Sequence, residues 1–168
     1  MVGSADSTAP TRSPDAERQV GGKYLTFHVG GEEYGVGILQ VREIIGIMEY
    51  TEVPQTSEFV SGVVNLRGRV LPIIDLRSKF GFPPTDHTGQ TCIVVVDVGT
   101  MTGIIVDAVQ EVHDISAEDI QPPPRLGGSV NTDFLLGMGR VQDEVKMLLD
   151  IDKVLANEAF VVPVGAEV

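Results

Sequence analysis

One feature constrains this chain more than any other: it repeats itself. Tyr34-Gly35-Val36-Gly37-Ile38-Leu39-Gln40-Val41-Arg42-Glu43-Ile44 and Thr102-Gly103-Ile104-Ile105-Val106-Asp107-Ala108-Val109-Gln110-Glu111-Val112 agree in their glycine, apolar and glutamate positions. A second set of blocks follows in the same order. Phe59-Val60-Ser61-Gly62 matches Phe134-Leu135-Leu136-Gly137, and Leu71-Pro72-Ile73-Ile74-Asp75-Leu76 matches Met147-Leu148-Leu149-Asp150-Ile151 with a one-residue slip. A repeated pattern means one supersecondary unit built twice and stacked on its copy.

The units read as strands. Leu25, Phe27 and Val29 alternate with Tyr24, Thr26 and His28, and Gly30-Gly31 then precedes Tyr34, Val36 and Ile38, which predicts a hairpin with a two-glycine turn. Residues 63–66 and 70–76 form a second pair around Arg67-Gly68-Arg69, with Pro72 expected only at an edge or a bulge. Residues 91–98 and 101–107 form a third pair around Gly99-Thr100. This pair is apolar on both faces, so it belongs at the centre of the structure. Phe134 to Met138 and Val145 to Ile151 read as strands again, after a loop marked by Pro122-Pro123-Pro124 and Gly127-Gly128. Asp75 and Asp150 each stand where a side chain caps a short helix, over residues 76–80 with Gly81 as the stop, and over residues 151–157.

Each unit is too small to be stable alone, so the economical fold is mainly β: two small barrels sharing a hydrophobic seam. A β-sandwich would explain the strands but not the repeat. Residues 1–22 are rich in Ser, Thr, Pro, Gly and Ala without apolar period, and read as a disordered tail. The folded domain is expected over 23–159, with barrel halves at approximately 23–84 and 88–159 and strand exchange at the seam as a variant. Residues 160–168 read as a flexible C-terminus.

Composition narrows the function by exclusion. Twenty-four acidic residues against twelve basic ones give a net charge of −12, which disfavours nucleic acid and anionic bilayers. No apolar run approaches a membrane span, and the first residues lack a signal-peptide core. Cys92 is the sole cysteine, set among strand-core residues, so no disulfide is expected and a reducing, cytoplasmic compartment fits.

Catalytic signatures are thin. His28, His87 and His113 show no metal-ligand spacing among themselves or with Cys92, so neither metal nor cofactor is expected. Neither a phosphate-binding G-x-x-x-x-G-K-[ST] nor a nucleophile elbow occurs. Asp97-Val98-Gly99-Thr100 resembles the first phosphate loop of actin-like ATPases, and an ATP-binding protein using it is the alternative reading. The same four residues make an ordinary hairpin turn. Acid pairs such as Asp97 with Asp107, or Asp114 with Asp119, arise by chance among so many carboxylates.

What remains is Asn65-Leu66-Arg67-Gly68-Arg69. The second half places Gly139-Arg140-Val141-Gln142-Asp143 near the equivalent place, so this loop diverges on a retained scaffold. An arginine on a tight glycine turn reads equally as a binding anchor or as a solvated hairpin tip.

Three stretches together resemble the CheW family of chemotaxis coupling proteins: Gly31-Glu32-Glu33-Tyr34-Gly35-Val36 through Val41-Arg42-Glu43-Ile44, Phe59 through Gly68, and Pro72-Ile73-Ile74-Asp75-Leu76. The resemblance implies two pseudo-symmetric five-stranded SH3-like barrels with short helices and a C-terminal helix. It also implies a non-enzymatic adaptor that bridges the regulatory domain of the histidine kinase CheA to the cytoplasmic tips of chemoreceptors, held at receptor arrays through its partners. Carried onto this chain, the partner-binding residues are Val41, Glu43, Gly62, Asn65, Arg67 and Gly68. Gly37 departs from the acidic residue or proline common in relatives, which loosens the backbone where a helical turn begins.

Overall fold

A computed structural model describes residues 21–52, 60–123 and 134–156. The expected tail up to residue 20, the segment after residue 156 and the loop from residue 124 to residue 133 lie outside the described residues, whereas Gly22 already belongs to the first strand.

The described chain runs β1 (Gly22–Val29), β2 (Glu32–Gly37), a 3-10 turn (Ile38–Gln40), β3 (Val41–Gly46), β4 (Val60–Leu66), β5 (Arg69–Asp75) and α1 (Leu76–Lys79). It continues through β6 (Cys92–Asp97), β7 (Met101–Val106), β8 (Ala108–Ile115), a second 3-10 turn (Ala117–Asp119), β9 (Ile120–Gln121), β10 (Leu135–Val141), β11 (Glu144–Leu149) and α2 (Ile151–Ala156). The protein is mainly β, as its sequence predicts.

The strands form a sheet of order β9-β10-β11-β2-β1-β8 and a sheet of order β3-β6-β7-β5-β4. Neither sheet corresponds to one half of the sequence. The β1–β2 hairpin lies among strands of the second half, and the β6–β7 hairpin lies among strands of the first. Each exchange is sealed by a parallel pairing: β11 with β2, where Met147 opposes Tyr34, and β5 with β7, where Ile74 opposes Ile104.

Each sheet is an SH3-like barrel of five strands plus one closing segment. After β8 the chain turns back, and β9 pairs with β10; after β3 it turns back, and Thr51 bridges Val63 of β4 through hydrogen bonds of 2.9 and 2.8 Å. Glycine makes both closures possible. A Cβ on Gly137 would lie 2.6 Å from the Gln121 carbonyl oxygen, and one on Gly62 would overlap the Thr51 carbonyl. Both glycines sit at a bulge, between Val60 and Gly62 and between Leu135 and Gly137.

Strand alternation distributes the core. On β6, Val94 and Val96 face the seam, where they meet Phe27, Tyr34, Ile74, Leu149 and both helices, while Ile93 and Val95 fill the second barrel with Val64, Leu71 and Ile73. Side chains on both faces are thus withdrawn from water, each worth ~1.5–3 kcal/mol when fully buried. The helices enter where capping aspartates stand: Asp75 accepts from the Arg77 amide at 3.0 Å, and Asp150 from the Lys153 amide at 3.3 Å. α1 stops as Gly81 takes φ +85°. Gly37 gives the first 3-10 turn no side-chain cap, and the turn forms regardless.

Pro72 corrects one expectation. It lies on β5, an interior strand between β7 and β4, rather than at an edge. Opposite it stands Val63, whose own backbone N–H and C=O are both bonded to Thr51. The Val63–Pro72 pair is therefore not hydrogen-bonded, and the proline nitrogen points toward β7. The parallel β5–β7 ladder begins only at Ile73, so the missing donor falls at its end and breaks no pairing within it.

Candidate partner-binding edge

β3 and β4 are the two end strands of the second barrel, and the β4–β5 hairpin tip comes back over β3. The tip is a two-residue turn with Arg67 at φ 52° and Gly68 at φ 84°, the left-handed pair that matches strand twist. Asn65 fixes it by accepting from the Gly68 amide at 2.9 Å. So mounted, Arg67 reaches Glu43 of β3 and forms a salt bridge across the gap between the end strands. Arg67 remains 67% exposed at its side chain and Glu43 28%, so the pair is accessible from solvent. The carboxylate holds the Arg67 guanidinium above its ordinary value, through the hydrogen bond first and Coulomb attraction second.

The structure therefore brings Glu43, Asn65, Arg67 and Gly68 into one group. Val41 stands two residues along β3, half-buried against the seam core. Gly62 does not join them: it lies at the barrel-closing bulge, where its lack of a side chain admits Thr51. Arg67 is also paired within the fold, through Glu43. Its partner was singled out separately in the sequence, and nothing in the spacing tied the two together.

Arg42 went unremarked in the sequence, although its position carries a signal. The β3–β6 register slips between Val41 and Glu43, so Arg42 is the bulged residue and is turned out of the ladder. It donates to the Leu39 carbonyl at 3.2 Å and to Asp97 at 3.0 Å. The other Asp97 oxygen accepts from the Gly99 amide at 2.9 Å, and Gly99 takes φ +98° to close the β6–β7 turn. The Gly99 amide, then Arg42, hold the Asp97 carboxyl below its usual range. The Asp97 loop is thus a hairpin turn whose carboxylate is already engaged. Asp107 likewise accepts from Arg77 at 2.7 Å and from the Gly30 amide at 2.9 Å, tying α1 and the first hairpin turn to the second half. Asp114 pairs with Lys23 at 3.2 Å, and Asp119 accepts from Ser116 at 3.0 Å. Burial pushes the Cys92 thiol up, away from thiolate chemistry.

The fold and this edge define a duplicated, strand-exchanged two-barrel β-protein that presents a charged hairpin tip. The family model described as the CheW-like domain matches residues 23–159, and the chain belongs to that family. It is 40% identical over 149 residues to the chemotaxis protein CheW of Klebsiella aerogenes, covering 88% of this chain and 90% of that one. With the chemotaxis protein CheW of Rhizobium meliloti the identity is 34% over 139 residues, covering 82% and 90%. Among solved structures, the scaffolding protein TtCheW from Thermoanaerobacter tengcongensis is similar at a TM-score of 0.75 and 32% identity, covering 80% of this chain and 92% of that one.

Proposed function

We propose that this chain is a chemotaxis coupling adaptor, which binds the regulatory domain of a CheA-type histidine kinase and the cytoplasmic tips of chemoreceptors and performs no chemical step of its own. The observation that carries the reading is the Glu43–Arg67 pair, mounted on two end strands and left exposed in a chain of this family. Arginine held by a turn and a carboxylate is preorganised, so little side-chain entropy is lost when a partner docks. Val41 supplies apolar surface beside it, Asn65 and Gly68 hold the tip, and Gly62 acts by closing the barrel on which the tip rides. The protein works in the cytoplasm and reaches receptor arrays through its partners. Among the described residues no helix is long and apolar enough to cross a membrane.

The test is a three-component capture. The immobilised chain is expected to retain a CheA-type kinase and a receptor tip fragment together, each saturably. Retention of neither would refute the adaptor reading.

A further inference from the structure

We propose that the cleft between the start of β5 and the β6–β7 turn is a second contact surface, which takes an acidic, extended segment of a protein partner with Arg69 as its anchor. The inference rests on the adaptor reading and adds to it the chemistry of one contact.

Sheet geometry opens the cleft. Because Pro72 has no N–H to offer β7, the parallel ladder stops at Ile73, and Arg69–Pro72 parts from Gly99–Met101. The space between them is about 720 Å³. Val70 and Met101, both half-buried, give it an apolar floor.

Charge then selects the occupant. Arg42 and Arg69 line the cleft, and its one carboxylate among the described residues, Asp97, is bonded at both oxygens, to Gly99 and to Arg42. Arg42, Arg67 and Arg77 each pair with a carboxylate, whereas Arg69 is paired with none among the described residues. In a chain of net charge −12, this exposed guanidinium, one residue beyond the Arg67–Gly68 turn, is an exception to the surrounding field. The sister hairpin differs at this point. Arg69 corresponds in the repeat to Glu144, whose carboxylate is bonded internally to Lys146 at 3.1 Å. The Glu144 carboxylate is thus taken up within the fold, whereas the Arg69 guanidinium is left exposed. A guanidinium beside an apolar floor fits a carboxylate on a segment that also carries an apolar side chain.

Calorimetric titration of the parent, Arg69→Ala, Arg69→Glu and Arg69→Lys with a CheA-type kinase regulatory domain, and separately with a receptor tip fragment, tests this at ~50 and ~300 mM salt. All variants should melt as the parent does, since Arg69 holds no ion-pair partner among the described residues. For one of the two partners, Arg69→Ala should lose about tenfold in affinity, Arg69→Glu more, and Arg69→Lys less. Raising the salt should narrow the gap between parent and Arg69→Ala. If the parent binds and all three variants match it at both salts, the cleft is not a contact and the adaptor reading survives. If the parent binds neither partner, the adaptor reading fails and this inference fails with it.

Discussion

Lys146, near the end of the described chain, buries its ammonium against the Glu33 carboxylate of the first hairpin, and no more than 5% of its side chain stays exposed. The two residues lie on β11 and β2, the strands whose parallel pairing joins the halves of the sequence. In the other barrel the corresponding residue is the buried Leu71. The duplication has thus placed an ion pair at one seam and hydrocarbon at the other.

Replacing Glu33 by glutamine should be costly. Burial draws the Lys146 ammonium down, but the hydrogen bonds it donates to Glu33 and then to Glu144 outweigh it and hold the group above its ordinary value. Glu33 in turn is held low, first by its hydrogen bond with Lys146. A depressed carboxylate stabilises the fold fully above its ordinary value of 4.5, and that contribution is lost as pH falls through the folded value. Urea unfolding at pH 7 should show Glu33→Gln less stable by ~2–3 kcal/mol, since Glu144 still partners the buried lysine. The difference should shrink below about pH 4.5, where the parent's own Glu33 takes up its proton. A constant difference from pH 7 to pH 3 would show that the pair contributes nothing through its charge.

Gly62→Ala and Gly137→Ala should destabilise alike, because each places a Cβ against the carbonyl of the segment that closes its barrel. Overpacking against backbone costs ~1–3 kcal/mol or more. Gly37→Ala and Gly46→Ala, where a Cβ meets nothing within 4 Å, should stay within ~0.5 kcal/mol. Thermal melts of the four variants separate these cases. A Gly62→Ala protein that melts normally and still fails to bind would return Gly62 to the contact surface.

A fragment of residues 23–84 should not fold by itself. It contains β1 and β2 but lacks β8 and β11, their neighbours, and its β3 and β5 lack β6 and β7. Mixing it with residues 88–159 should restore a cooperative melt, as each sheet then regains all its strands. A soluble, cooperatively melting monomer of residues 23–84 would show that the exchange does little for stability.

The repeat made the two-barrel architecture legible, because hydrophobic alternation records which face of a strand is buried. Alternation does not record which strand lies beside it. Tyr34–Ile44 and Thr102–Val112 carry one pattern, so either hairpin suits either barrel, and the exchange becomes visible only in the parallel pairings at Tyr34 and Ile104. Pro72 misled for a related reason: the rule against interior prolines assumes that both sides of a strand need donors, and here Thr51 had already taken the Val63 pair out of the ladder. At the site, Asn65, Arg67 and Gly68 were readable from local turn chemistry. The Glu43–Arg67 contact was not, because 24 positions of chain separate its partners and only barrel curvature closes the distance.

The most direct test of the account is receptor-stimulated kinase activity, reconstituted from a CheA-type kinase, a receptor fragment and either the parent chain or Arg67→Ala. Arg67 is exposed and its tip is held by Asn65 and Gly68, so the variant should melt with the parent. It should nonetheless require about tenfold more protein, or more, to reach the parent's stimulation, as expected when an anchoring arginine is truncated. Stimulation by Arg67→Ala at parental concentration, with a parental melt, would contradict the claim that this edge couples receptor to kinase.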